Sequence, residues 1–122
     1  MRTRLPVGVI GVGALGQHHA RHLAGLNNEV RLVGVCDIDA GRAAKVAAEL
    51  GTTAFMEMDD LLARVQAVTI AVPTPVHAEV GLRALELGVP ILMEKPLAAT
   101  LEEADCLIAA ARRRSLQLQV GH

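Results

Sequence analysis

Three glycines, Gly11, Gly13 and Gly16, fall in the stretch VIGVGALGQHHARHLAG, where an apolar run gives way to a helical pattern. At such a junction the first glycine permits a tight turn out of a strand, the second lets the backbone approach a diphosphate, and the third lets helix and strand pack closely. The amides of Ala14 and Leu15 would then belong to a helix start, where unpaired N–H groups and the helix dipole favour negative charge. Asp37, in VCDID, ends the next apolar run at close to the expected offset of about 20 residues and would accept hydrogen bonds from the hydroxyls of an adenosine ribose. Its carboxylate would repel a 2′-phosphate, which favours NAD, although Arg42 nearby softens that preference and keeps NADP possible. Ile38 follows at the rim of the same site, and Asp39 is better placed than Asp37 to cap the following helix.

A second constellation ends the fifth apolar run as ILMEKPLA, and AVPTPVHAEV follows the fourth. In open parallel sheets ligands sit beyond the carboxyl ends of strands, beside the point where strand order reverses. Glu94, Lys95, Pro73, Thr74 and His77 therefore lie towards the nicotinamide side of the proposed crevice. Lys95 there could exchange a proton with a substrate hydroxyl if desolvation or nearby positive charge brought its pKa towards working pH. For His77 an ordinary place at a helix start competes with a cofactor or substrate contact.

The elements that must hold these residues alternate along the whole chain. Strands are predicted over Leu5–Ile10, Glu29–Cys36, Thr53–Phe55, Ala67–Val72, Pro90–Met93 and Leu116–Val120. Helices are predicted over Ala14–Leu26, Ala40–Leu50, Met58–Val65, Pro75–Leu87 and Thr100–Arg113. Gly51 and Gly88 stand where left-handed residues end helices, and Thr100-Leu101-Glu102-Glu103 has capping-box spacing. Strand–helix alternation with short connections and right-handed crossovers predicts an α/β, doubly wound parallel sheet of the Rossmann type, with six strands in the order 3-2-1-4-5-6 and helices on both faces.

Composition excludes several functions. A formal charge of −1, a single Phe and no Trp or Tyr argue against nucleic acid, which needs positive charge and stacking platforms. No apolar run approaches the roughly 20 residues that cross a bilayer, and there is no signal-peptide pattern, so no membrane partner is expected and a cytoplasmic location is the default. Cys36 and Cys106 lie without ligand spacing and are expected to be buried free thiols. His18 and His22 share a helix face and His19 lies beside them, but no other ligand accompanies them and no metal is expected. Arg112, Arg113 and Arg114 close the last helix, where positive charge suits the dipole.

GVGALGQHHARHLA, AVPTPVHAEV and above all EKPLAATLEEAD resemble the nucleotide-binding half of the Gfo/Idh/MocA oxidoreductases, along essentially the whole chain. The resemblance implies that Lys95 stands near the reacting carbinol and the nicotinamide, that Pro96 fixes the turn, and that the enzyme oxidises a secondary hydroxyl of a sugar, nucleotide sugar or cyclitol, or runs the reduction. Family members continue into a second α/β domain with substrate contacts, so residues 1–122 are expected to be the dinucleotide-binding domain alone, with QLQVGH resembling the junction. Such a chain is expected to bind cofactor without turning over and, with uncovered apolar surface, to self-associate. The alternatives are a non-catalytic NAD-sensing module and an S-adenosylmethionine-dependent methyltransferase-like domain; the EKP element and the third glycine's spacing argue against the latter.

Overall fold

In a computed structural model describing residues 4–121, apolar β1 (Leu5–Ile10) runs into the glycine loop and α1 (Ala14–Gly25). There follow β2 (Val30–Cys36), α2 (Ala40–Leu50), β3 (Thr53–Phe55), α3 (Met58–Leu62), β4 (Ala67–Ile70), a 3₁₀ turn (Thr74–Val76), α4 (His77–Glu86), β5 (Ile91–Glu94), α5 (Leu101–Arg114) and β6 (Leu118–Gly121). All strand pairs are parallel, in the order β3-β2-β1-β4-β5-β6. The predicted topology is the observed one.

Alternation along the strands divides the core between the two faces of the sheet. Val9 and Val35 join Val12, Ala20, Ala43, Val46 and Ala47 in a cluster beneath α1 and α2. Their neighbours Ile10 and Cys36 belong to a larger cluster with Leu61, Leu85, Ile91, Met93 and Leu107, which α3, α4 and α5 cover. Close approach is built in on that face, since a Cβ on Gly81 of α4 would lie 2.7 Å from the side chain of Leu107 and 2.9 Å from that of Met93. Leu107 is completely buried. Leu107→Ala should therefore cost about 2–5 kcal/mol of folding free energy, read from the midpoint of urea unfolding.

Helix ends follow local chemistry. Asp39 caps α2 by accepting from the Arg42 N–H, Thr100 caps α5 by accepting from the Glu103 N–H, and Gly51 and Gly88 take the left-handed conformation at φ 67° and 79°. Several predicted bounds move. β4 stops at Ile70 rather than Val72, because its last ladder partners are Ile10 and Met93 and the chain then leaves the sheet. β5 reaches Glu94 instead of ending at Met93, and β6 spans Leu118–Gly121 rather than Leu116–Val120, because Glu94 pairs with Gly121. α3 ends three residues short of Val65, and the segment expected to start a helix at Pro75 first makes the 3₁₀ turn.

Cys36 is buried as expected, but Cys106 is exposed. The buried stripe of α5 passes through Leu107, Ala110 and Ala111, and position 106 falls one residue outside it. His122, expected at a junction into a second domain, lies outside the described residues. Among the described residues no helix is long and apolar enough to cross a membrane.

Candidate functional site

The loop leaving β1 is shaped by contacts that only glycine allows. Gly11 has φ 91°, and a Cβ there would come within 2.7 Å of the Ala71 carbonyl group at the end of β4. On Gly16 a Cβ would stand 1.8 Å from the Gly11 carbonyl oxygen, which explains the close seating of α1 on its own strand. Gly13 is different: a Cβ there would meet no protein atom within 4 Å. The space beside Gly13 is therefore left by the fold rather than filled by it, and it belongs to a crevice of about 780 Å³ at the carboxyl ends of β1, β2 and β4. Gly13 is also the N-cap of α1, without a side-chain cap and with no acidic residue in the first turn, so the helix presents bare amides to an anion.

Across the crevice, the Asp37 carboxylate sits at the end of β2 with its side chain only 3% exposed. Its Oδ2 accepts from the Val12 N–H at 2.7 Å and from Arg42 Nε at 3.2 Å; its Oδ1 accepts from the Asp39 N–H at 2.8 Å and from Arg42 Nη2 at 2.8 Å. Burial alone would raise this carboxyl, but hydrogen bonds from Arg42, Val12 and Asp39, together with the Arg42 charge, outweigh it and hold the group below the ordinary carboxylate range. The Cys36 thiol next to it is pushed up by burial and then by the charges of Asp37 and Glu57, which keeps it an unreactive wall of the site.

Of the residues singled out by sequence, Gly11, Gly13, Ala14, Leu15, Asp37, Ile38 and Pro73 line this crevice. Gly16 lies behind it as packing. Thr74, His77, Glu94 and Lys95 do not line it. Thr74 opens the 3₁₀ turn, and Lys95 is exposed immediately after β5 at a cis Lys95–Pro96 bond.

His77 is 2% exposed, with Nδ1 2.9 Å from the Pro96 carbonyl oxygen and Nε2 2.8 Å from that of Val72. It ties the loops after β4 and β5 together from the inside and is not among the residues that line the crevice. Glu94 pairs with His19 of α1, joining the glycine-loop helix to the end of β5. Nothing in the spacing of either residue announced that pair. Sequence reasoning also missed Met56, Met58, Val76 and Val80, which line an apolar flank of the crevice, and Glu79, which lines it beside them. They come from the connection after β3, the start of α3, the 3₁₀ turn and the first turn of α4, where periodicity marks only the buried face.

A smaller groove of about 260 Å³ lies away from the glycine loop, lined by Leu5, Val7, Leu23 and residues of β4 to β6, and no ionisable side chain lines it.

Comparison with known proteins places this arrangement among oxidoreductases. Residues 5–122 match the family model GFO_IDH_MocA, described as "Oxidoreductase family, NAD-binding Rossmann fold". The chain is 50% identical over its whole length to UDP-N-acetylglucosamine 3-dehydrogenase of Acidithiobacillus ferrooxidans, of which it covers 37%. Over 105 residues, 83% of the chain, it is 45% identical to inositol 2-dehydrogenase 1 of Saccharopolyspora erythraea, covering 31% of that protein.

Among solved structures, UDP-N-acetylglucosamine 3-dehydrogenase GnnA from Acidithiobacillus ferrooxidans superposes with a TM-score of 0.94 at 47% identity, over 99% of this chain and 39% of that one. GenD2 from gentamicin A biosynthesis, solved in complex with NAD, gives 0.92 at 32% identity over 99% of this chain and 35% of that one. The chain thus spans between 31% and 39% of the length of these relatives.

Proposed function

Because the chain belongs to the Gfo/Idh/MocA oxidoreductase family, with its NAD-binding Rossmann fold, we propose that it is the dinucleotide-binding part of a dehydrogenase acting on a secondary hydroxyl of a sugar, nucleotide sugar or cyclitol. The observation that carries this reading is the open space at Gly13 facing a buried Asp37 carboxylate across one crevice. Those residues fit an adenine dinucleotide. The bare α1 amides and Gly13 would hold its diphosphate, Asp37 its adenosine ribose, and the apolar flank of Ile38, Val76 and Val80 its adenine.

When bound, the nicotinamide supplies hydride chemistry. This chain's own part in the reaction is to orient and to move a proton. Lys95 stands at the carboxyl end of β5, where its Nζ would take up or return the substrate hydroxyl proton. Glu94, held by His19, and Pro96, held by His77, fix the main chain on either side of it. The binding of a sugar-like substrate against Lys95 is assigned to the remaining length that relatives carry, so residues 1–122 by themselves should bind cofactor without measurable turnover.

The first test is calorimetric titration with NAD: saturable binding at one site is expected, and no binding at millimolar NAD overturns the proposal. UDP-N-acetylglucosamine and myo-inositol are the first substrates to assay, given the names of the relatives. In a protein that joins residues 1–122 to the further length relatives carry, Lys95→Met should lower kcat by about 10²–10⁴ while leaving NAD affinity within about twofold. A variant that loses cofactor binding and keeps its turnover number would remove Lys95 from the chemistry.

A further inference from the structure

Two acidic side chains line the crevice, and only one of them is engaged. Asp37 accepts at both oxygens from Val12, Asp39 and Arg42. Glu79, in the first turn of α4, is exposed and forms neither a hydrogen bond nor an ion pair among the described residues. Its companions in the lining are apolar: Val76 and Val80 from the same stretch of chain, Met56 and Met58 from the segment after β3, and Ile38 just beyond β2. Ile38 is fully exposed and Met56 is 76% exposed. This part of the crevice therefore offers uncovered aliphatic surface to a flat body and one free acceptor to its edge.

A diphosphate does not suit that place, because an unpaired carboxylate repels it. Two parts of a dinucleotide are flat rings with an amine at the edge. The nicotinamide is assigned to the end of β5, and Glu94 and Lys95 there do not line this crevice. The adenine remains, with an exocyclic amine that donates from its edge.

Resting on the dinucleotide-binding function proposed above, we propose that Glu79 is the base-selecting residue of the crevice: its carboxylate accepts a hydrogen bond from the exocyclic amine of adenine, while Ile38, Met56, Val76 and Val80 take the ring. A purine with a carbonyl oxygen in place of that amine sets an acceptor against an acceptor and is disfavoured. Glu79 also suits the positive end of the α4 dipole, but that role by itself would create no preference among bases.

Calorimetric titration of the parent chain, Glu79→Gln and Glu79→Ala tests this with NAD, nicotinamide hypoxanthine dinucleotide, and the etheno analogue of NAD, in which a two-carbon bridge removes every N–H from that edge of the base. The parent should bind NAD at least about tenfold more tightly than either analogue, the worth of one hydrogen bond to a charged group. Glu79→Ala should weaken NAD by about tenfold and bring the three ligands within about threefold of one another. Glu79→Gln, whose amide can turn a donor towards a carbonyl, should bind the hypoxanthine analogue more tightly than the parent does. ADP-ribose, which has no nicotinamide, should lose as much affinity in Glu79→Ala as NAD does, which ties the effect to the adenine end.

Thermal melting of each variant separates selection from unfolding: Glu79 is exposed and unpaired among the described residues, so both variants are expected to melt as one cooperative transition close to that of the parent. A parent that binds NAD and both analogues equally, a folded Glu79→Ala that keeps the parent's preference, or an ADP-ribose affinity that Glu79→Ala leaves unchanged overturns the base selection. A parent that binds none of these ligands sinks the broader function, and this proposal with it.

Discussion

Gly13→Val should cost no more than about 1–2 kcal/mol of folding stability, the loss of a favourable N-cap residue, and lower NAD affinity by at least about a hundredfold, because a Cβ there meets no protein atom and would stand in the space proposed for the ligand. The backbone at Gly13, φ −67° and ψ −165°, is extended and accepts any residue. Gly16→Val provides the contrast. There the added carbon would overlap the Gly11 carbonyl oxygen, 1.8 Å away, so stability and binding should fall together. Chemical denaturation and calorimetric titration of the two variants separate room made for a ligand from room made for the fold. If Gly13→Val bound NAD like the parent, the diphosphate could not lie against that amide.

The second large effect concerns Asp37. Replacing it by Ala leaves the buried Val12 N–H, the Asp39 N–H and both donors of the Arg42 fork without their acceptor, at a cost of about 1–3 kcal/mol, and removes the proposed ribose partner as well. The carboxyl is held below its ordinary value in the folded chain, so its stabilisation is complete above the unfolded-state pKa of about 3.9 and is lost as pH falls through the lower, native value. The stability difference between parent and Asp37→Ala should therefore be constant from pH 6 to 8, by the same linkage at roughly those values, and should shrink below about pH 4. Urea unfolding at a series of pH values checks this. A difference that grew on acidification would contradict the geometry of the Asp37 cluster.

The order of strands and the two helical layers were legible because each apolar run is short and each but the last is followed by a helix that returns the chain to a parallel strand. Gly51, Gly88, Asp39 and Thr100 carried those boundaries in their own backbone and capping chemistry. The end of β4 was not legible. Val72 continues the apolar run, but a strand needs a neighbour as well as a composition, and the ladder to β5 has its last pair at Ile70 and Met93.

The glycine loop and Asp37 could be found in the sequence because local spacing sets their geometry. Arg42 was visible only as a neighbour, and its grip on both Asp37 oxygens came from the turn between them. The partners of His77 and Glu94, Pro96 and His19, are 19 and 75 residues away, beyond what local spacing reports. Cys106 lies in an apolar-rich helix, and only the packing of Leu107 shows which side of it faces water.

The two histidine ties have a mechanical consequence. His77 laces one loop to the next at the head of the sheet, and His19 with Glu94 ties the first helix to the fifth strand, so the carboxyl end of the sheet is cross-braced on both sides of Lys95. Less conformational freedom is left there for a ligand to freeze out on binding.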